Sequence, residues 1–116
     1  MSDTFCDLSQ AHCVPCEGGV PSLTSEEVKK LLKELPGWES NAEYTEIIKT
    51  YAFTNYYQTM AFVNAIAWQA HQEKHHPDLG VHYNRCVVRY STHAIKGLSK
   101  NDFICAAKID SLFSLK

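Results

Sequence analysis

The sequence predicts an α+β domain in which helix, strands, helix, strands and helix follow one another around an antiparallel sheet covered on one face. Three observations carry this. A capping box opens an apolar 3.6-residue period at Thr24, a long apolar helix pattern ends against Pro77, and both intervening segments are rich in β-branched and aromatic residues. Strand segments between helices, with connections short enough for hairpins, favour antiparallel pairing over a doubly wound sheet.

Residues 1–22 hold three cysteines, two prolines and the pair Gly18-Gly19 without an apolar period, so they read as an irregular leader before a single domain over 23–116. Thr24 and Glu27 form the capping box, and Val28, Leu31, Leu32 and Leu35 follow on one helical face. Pro36-Gly37 stops that helix. From Trp38 to Phe53 the chain reads as two short strands parted by a turn at Ser40-Asn41. Thr54 and Asn55 offer caps to a second helix reaching about Lys74 or His75, because Pro77 disfavours helical geometry just before it. Phe62, Val63, Ile66, Ala67 and Trp68 cover more of this helix than one core-facing stripe needs, which predicts self-association. Val81 to Thr92 has a β pattern with Arg85 and Arg89 on one phase, long enough for one strand or two. Ser99, with Asp102 at the third helical position, opens the last helix.

Composition narrows the function. A chain of 116 residues, 45% hydrophobic and 21% charged, suits one globular domain. Its formal charge of −2 provides no basic excess for nucleic acid or anionic membranes. The apolar stretch Met60 to Trp68 contains Asn64 and falls short of the ~20 residues of a membrane span. With no basic and apolar leader at Met1, a soluble cytoplasmic protein is expected. Cys6, Cys13, Cys16, Cys86 and Cys105 form an odd set without framework spacing, in keeping with free thiols.

Five of the six histidines, His71, His75, His76, His82 and His93, fall within 23 positions. His71 and His75 are i and i+4 on the second helix, His76 stands at its exit and His93 follows the strand segment. If that segment returns beside the helix end, three imidazoles converge and supply a proton donor and acceptor near neutral pH. His12 and His82 receive no role. Zinc is the rival reading, since His71-x3-His75 has the spacing of a zincin helix, but Gln72 stands where the catalytic glutamate belongs and Glu73 is one position late. Cys13-x2-Cys16, with Cys6 and His12, has the residue types for a structural metal but lacks a second C-x2-C. Phosphate-loop, dinucleotide and serine-hydrolase motifs are absent.

The run His71-x3-His75-His76-Pro77, followed by Tyr83, Ser91-Thr92-His93, Gly97-Leu98-Ser99 and Asp102, resembles the signature of the pterin-4a-carbinolamine dehydratases. A looser similarity reaches back through Thr24-Ser25-Glu26-Glu27 and Pro36-Gly37-Trp38. The resemblance implies α-β-β-α-β-β-α order, four antiparallel strands with three helices on one face, and hence two strands in Val81 to Thr92. It also implies dehydration of 4a-hydroxytetrahydropterin to quinonoid dihydropterin, recycling the cofactor of aromatic amino acid hydroxylases without a metal or organic cofactor. By the same resemblance His75 and His93 transfer protons and His76 holds the pterin. Lys74, Ser91 and Thr92 line the ring, and Asp102 orients the site or the last helix. His71, and Ala94 after the strand histidine, stand where some members carry acidic residues, so His71 is either a supporting hydrogen-bond partner or an ordinary helix residue. Homodimers through sheet edges and homotetramers through the second helix are expected. The alternatives from the same family are a dimerisation partner for a regulatory protein and a role in molybdopterin metabolism.

Overall fold

The computed structural model describes Leu8, Ala11, Cys13 and residues 22–114. Thr24 caps the first helix, α1 (Ser25–Leu32): its side chain accepts from the Glu27 N–H at 3.2 Å while Glu27 Oε1 accepts from the Thr24 N–H at 2.8 Å. The helix is shorter than its apolar period suggested. Leu35 still reaches the core, through a turn closed by its N–H on the Leu32 carbonyl, before Pro36 and the left-handed Gly37 redirect the chain.

β1 (Glu39–Ser40) and β2 (Ile47–Ala52) form the first hairpin, and α2 (Tyr56–Glu73) follows from an Asn55 cap. β3 (Asp78–Val81) and β4 (Arg85–Tyr90) make the second, so this segment holds two strands. β3 begins three residues ahead of the expected Val81, because the extended geometry around Pro77 leads straight into pairing. After a short 3-10 turn at His93–Ile95 the chain ends its described part in α3 (Lys100–Ser114).

All strand pairs are antiparallel, in the order β1-β2-β4-β3, which makes β3 an edge. Period-two alternation separates the faces. Ile47 and Tyr51 of β2 pair with Tyr90 and Cys86 of β4, all buried under the helices, while Arg85 and Arg89 point off the open face. Asp110 of α3 ties helix to sheet: its carboxylate accepts from Trp38 Nε1 at 3.2 Å, from Lys49 Nζ at 2.9 Å and from the Tyr51 hydroxyl. Burial, aided by this contact, pushes the Tyr51 phenol far above its ordinary range. Among the described residues no helix is long and apolar enough to cross a membrane.

Three leader residues join the domain. Leu8 is 2% exposed within the core, Ala11 packs against it, and the Cys13 N–H donates to Glu73 Oε1 at 2.7 Å. Cys13 Sγ lies 3.5 Å from Cys105 Sγ, and Cys13, Cys86 and Cys105 are free thiols. The contact with Cys105 and burial hold the Cys13 thiol protonated, well above the usual range. Cys6, His12 and Cys16 lie outside the described residues. We propose that Leu8, Ala11 and Cys13 belong to the folded unit. Leu8→Ala should then lower stability by roughly 2–4 kcal/mol, the scale of a truncated core leucine, in urea unfolding. An unchanged midpoint would mean that Leu8 contributes nothing to the core.

Candidate active site

The end of α2 sets the first wall of the site. Lys74 takes the left-handed conformation, φ 55 and ψ 38, and both its own N–H and that of His75 return to the Ala70 carbonyl. This C-terminal cap turns the chain out of the helix one residue before His75. The expected sharing of a face by His71 and His75 therefore fails, because i and i+4 spacing has no such meaning once the helix has ended. His71 instead lies against Trp68, ring centroids 5.6 Å apart, and is not among the described residues lining the cleft.

The second wall is the exit from β4. Thr92 and Gly97 pair across the turn, with the Thr92 N–H donating to the Gly97 carbonyl at 2.8 Å, so His93, Ala94, Ile95 and Lys96 form a closed loop. The approach is tight. A Cβ on Gly97 would stand 2.7 Å from Ser22 Oγ, so a larger residue there would force the Ser22 side chain to move. The two walls enclose a cleft of about 200 Å³ lined by Lys74, His75, His76, Ser91, Thr92, His93 and Ala94. The His76 and His93 rings meet edge to face, centroids 6.1 Å apart. His75, His76 and His93 thus come to one cleft, with Lys74, Ser91 and Thr92 on its walls.

Asp102 binds the walls together from behind. Wholly buried, its Oδ1 lies 2.6 Å from His75 Nε2, while its Oδ2 accepts from the Thr92 hydroxyl at 2.7 Å and from the Ser99 N–H at 3.0 Å. Because Thr92 donates to the carboxylate, its oxygen accepts from the Ser99 hydroxyl at 2.8 Å. Asp102 therefore serves α3's first turn and His75 at once, the two roles between which its position alone did not decide. Tyr90 completes the support: its ring stacks on His75 with centroids 5.7 Å apart and planes 9° apart. Burial, with Cys105 beside it, pushes the Tyr90 phenol up, so it remains neutral. As a strand-core tyrosine it carried no sequence signal.

The same geometry bears on the zinc reading. Glu73 is engaged by Cys13 and by Lys108, whose Nζ lies 3.8 Å away, and the described residues contain no cluster of three or more His, Cys, Asp or Glu placed to hold a metal. Larger clefts are also present among the described residues, and two of them bear on the site. One of about 560 Å³ between α2 and α3 is lined by Phe53, Phe62, Ala65 and Phe113 among others and contains no acid or base. The other, about 490 Å³, shares Ser91, Thr92 and His93 with the histidine cleft and adds Asn41, Thr45, Glu46, Lys96 and Gly97. No local pattern linked the first three to the site, since they come from the β1–β2 turn.

The chain is thus a small antiparallel α+β domain with a histidine-lined cleft where the end of α2 meets the exit of β4. Residues 21–112 match the family model described as pterin 4 alpha carbinolamine dehydratase, and the chain belongs to that family. A Nitrosospira multiformis protein provisionally named pterin-4-alpha-carbinolamine dehydratase is 56% identical over 99% of this chain and all of its own length. One from Nitrosomonas europaea with the same provisional name is 62% identical, covering 93% of this chain and 95% of its own. Among solved structures, a transcriptional coactivator/pterin dehydratase from Brucella melitensis superposes with a TM-score of 0.75 at 27% identity, over 78% of this chain and 97% of that one.

The Asp102 cluster has a measurable stability consequence. Asp102→Ala leaves a buried N–H, a buried hydroxyl and the His75 ring without their acceptor, so stability should fall by roughly 3 kcal/mol in urea unfolding. Asp102→Asn should recover only part of this, because its amide must turn an N–H toward one of three donors. An alanine variant as stable as the wild type would show that the cluster does not hold the two walls.

Proposed function

We propose that the protein dehydrates a 4a-hydroxytetrahydropterin to the quinonoid dihydropterin, with His75 and His93 moving the protons and His76 holding the ring. The observation that carries this reading is the buried Asp102 carboxylate 2.6 Å from His75 Nε2, at the back of a cleft that His76 and His93 also line. With Nε2–H given to Asp102, the His75 ring keeps its lone pair on Nδ1, the form that accepts a proton. His75 is accordingly assigned the N5 proton of the carbinolamine.

The reaction needs one acid and one base. As the N5–H proton passes to the base, the nitrogen electrons form the N5=C4a double bond and the C4a–O bond breaks. The hydroxyl leaves with a proton from the acid, as water. His93, solvent-exposed in the closed loop after β4, is assigned the acid role because bulk water can reload its proton. His76 Nδ1 lies 3.3 Å from the Pro77 carbonyl, so donation there leaves Nε2 to accept from the pterin ring. Lys74, Ser91 and Thr92 border the ring in this reading, and no step requires a metal or organic cofactor. The product returns a pterin to redox use, as for aromatic amino acid hydroxylases, in the cytoplasm.

The apolar excess of α2 supports self-association. Phe62 and Ile66 turn inward, while Tyr57 is 81% and Trp68 63% exposed. We assign this outer face and the β3 edge to contacts with further copies of the chain. The runner-up is a binding role toward a regulatory protein through the same helix, since the Brucella melitensis protein is named a transcriptional coactivator as well as a pterin dehydratase.

A coupled dehydration assay on purified protein, dialysed against a strong chelator, decides between them. Activity should survive chelation, His75→Ala and His93→Ala should each slow turnover by ~10²-fold or more, and His76→Ala should raise KM more than it lowers kcat. Wild-type turnover in either of the first two variants would refute the assigned roles. An inactive wild-type protein would favour the binding role, and activity restored only by zinc would require a metal mechanism.

A further inference from the structure

We infer that Cys13 and Cys105 form a reversible disulfide, closed by a hydroperoxide and opened by a dithiol, which fastens Cys13 to α3 as a redox-sensitive staple. Proximity gives the first reason. The two sulfurs lie 3.5 Å apart although the residues are 92 positions apart in the chain, and both thiols are free. Bonded sulfurs stand about 2.05 Å apart, so closure calls for an approach of about 1.5 Å. Cys13 lies outside any helix or strand, and its N–H is already held by Glu73 Oε1 at 2.7 Å, so the approach falls to its side chain rather than to α3.

Unequal access gives the second reason and sets the order of steps. Cys13 is half-buried, whereas Cys105 is fully buried on α3 about one turn beyond Asp102, so an oxidant meets Cys13 first. The Cys13 sulfur, as thiolate, attacks the peroxide O–O bond, which breaks to leave a sulfenic acid and to release water or an alcohol. The Cys105 sulfur then attacks the sulfenic sulfur: the S–S bond forms, the S–O bond breaks and the hydroxyl leaves as water. The thiols thereby give up two electrons and two protons, and the hydroperoxide takes up both. Contact with Cys105 keeps the Cys13 thiol protonated, which slows the first step, and the same contact makes the second step immediate. The surroundings give the third reason. Glu73, the last residue of α2, joins Cys13 to α3, because its other carboxylate oxygen lies 3.8 Å from Lys108 Nζ. The bond would therefore lock contacts that the fold already makes, and it would close a long loop, the case in which restricting the unfolded chain stabilises most.

The test takes the full chain, reduced with dithiothreitol and freed of it, and exposes it to hydrogen peroxide, with thiol pairing mapped by mass spectrometry of non-reduced digests. The wild type should yield a Cys13–Cys105 crosslinked peptide that dithiothreitol reopens, while the buried Cys86 stays reduced. Oxidation should raise the urea midpoint by roughly 1 M, the scale expected for closing a loop of this length. That rise should vanish in Cys13→Ser and in Cys105→Ala. A crosslink from Cys13 to Cys6, to Cys16 or to a second copy of the chain would refute the pairing. So would Cys13 oxidised to its sulfinic acid beside a free Cys105, or a midpoint rise that survives either substitution. A crosslinked protein with an unchanged or lower midpoint would overturn the staple, because the bond would then strain the fold it joins. Mapping of the wild type and of Cys13→Ser decides the matter even where Cys105→Ala does not fold. None of these readouts depends on catalytic activity, so they stand apart from the dehydratase reading.

Discussion

The Asp102 carboxylate has no exposed surface, yet it faces three donors that come from three different parts of the chain. Burying an isolated carboxylate costs several kcal/mol, and a charge-assisted hydrogen bond contributes about 1.5–3 kcal/mol, so the group is tolerable only while its donors stay in place. That condition couples the parts. The His75 ring beyond α2, the Thr92 hydroxyl beyond β4 and the Ser99 N–H at the start of α3 must all be present before the carboxylate is satisfied. The interaction thus specifies the relative position of the helix exit and the strand exit between which the cleft lies.

The backbone accepts local strain around the same place. The non-glycine residues with positive φ among those described are Tyr44, Lys74 and Lys96, each a turn residue beside one of the two joined clefts. Such conformations cost about 1 kcal/mol or more for a side chain with a Cβ and persist where the surroundings over-determine them. Lys74 turns His75 off the helix, Lys96 closes the loop that carries His93, and Tyr44 precedes the pair Thr45 and Glu46. The sheet and α3 supply the rigidity against which these turns are held, through the Asp110 contacts to Trp38, Lys49 and Tyr51.

Features encoded locally were legible in the sequence. The capping box at Thr24 and the stop before Pro77 are written in neighbouring residues, and the spacing of His75, His76 and His93 survives as a motif; the first hairpin turns at 41–46 rather than at Ser40-Asn41, and the two strands of the second came only from the family resemblance. Where contact depends on the folded chain, the reading was incomplete. His71 was grouped with His75 on the assumption that the helix reached both, and a single left-handed residue at Lys74 separates them. Leu8 left no pattern because one buried leucine in an irregular segment has no period. Tyr90 read as ordinary strand core, and Asn41, Thr45 and Glu46 stand some fifty residues from His93, with nothing local to announce their place beside it.

The central claim is that Asp102 orients His75 by taking its Nε2–H, and the tautomer of that one ring tests it most directly. Nitrogen-15 NMR of histidine-labelled protein, with His75 assigned by substitution, distinguishes a protonated from an unprotonated ring nitrogen. The account predicts Nε2 protonated and Nδ1 bare in the wild type, with that preference lost in Asp102→Ala. A wild-type His75 protonated on Nδ1 with Nε2 bare would contradict it, because the carboxylate would then have no proton to accept from the ring.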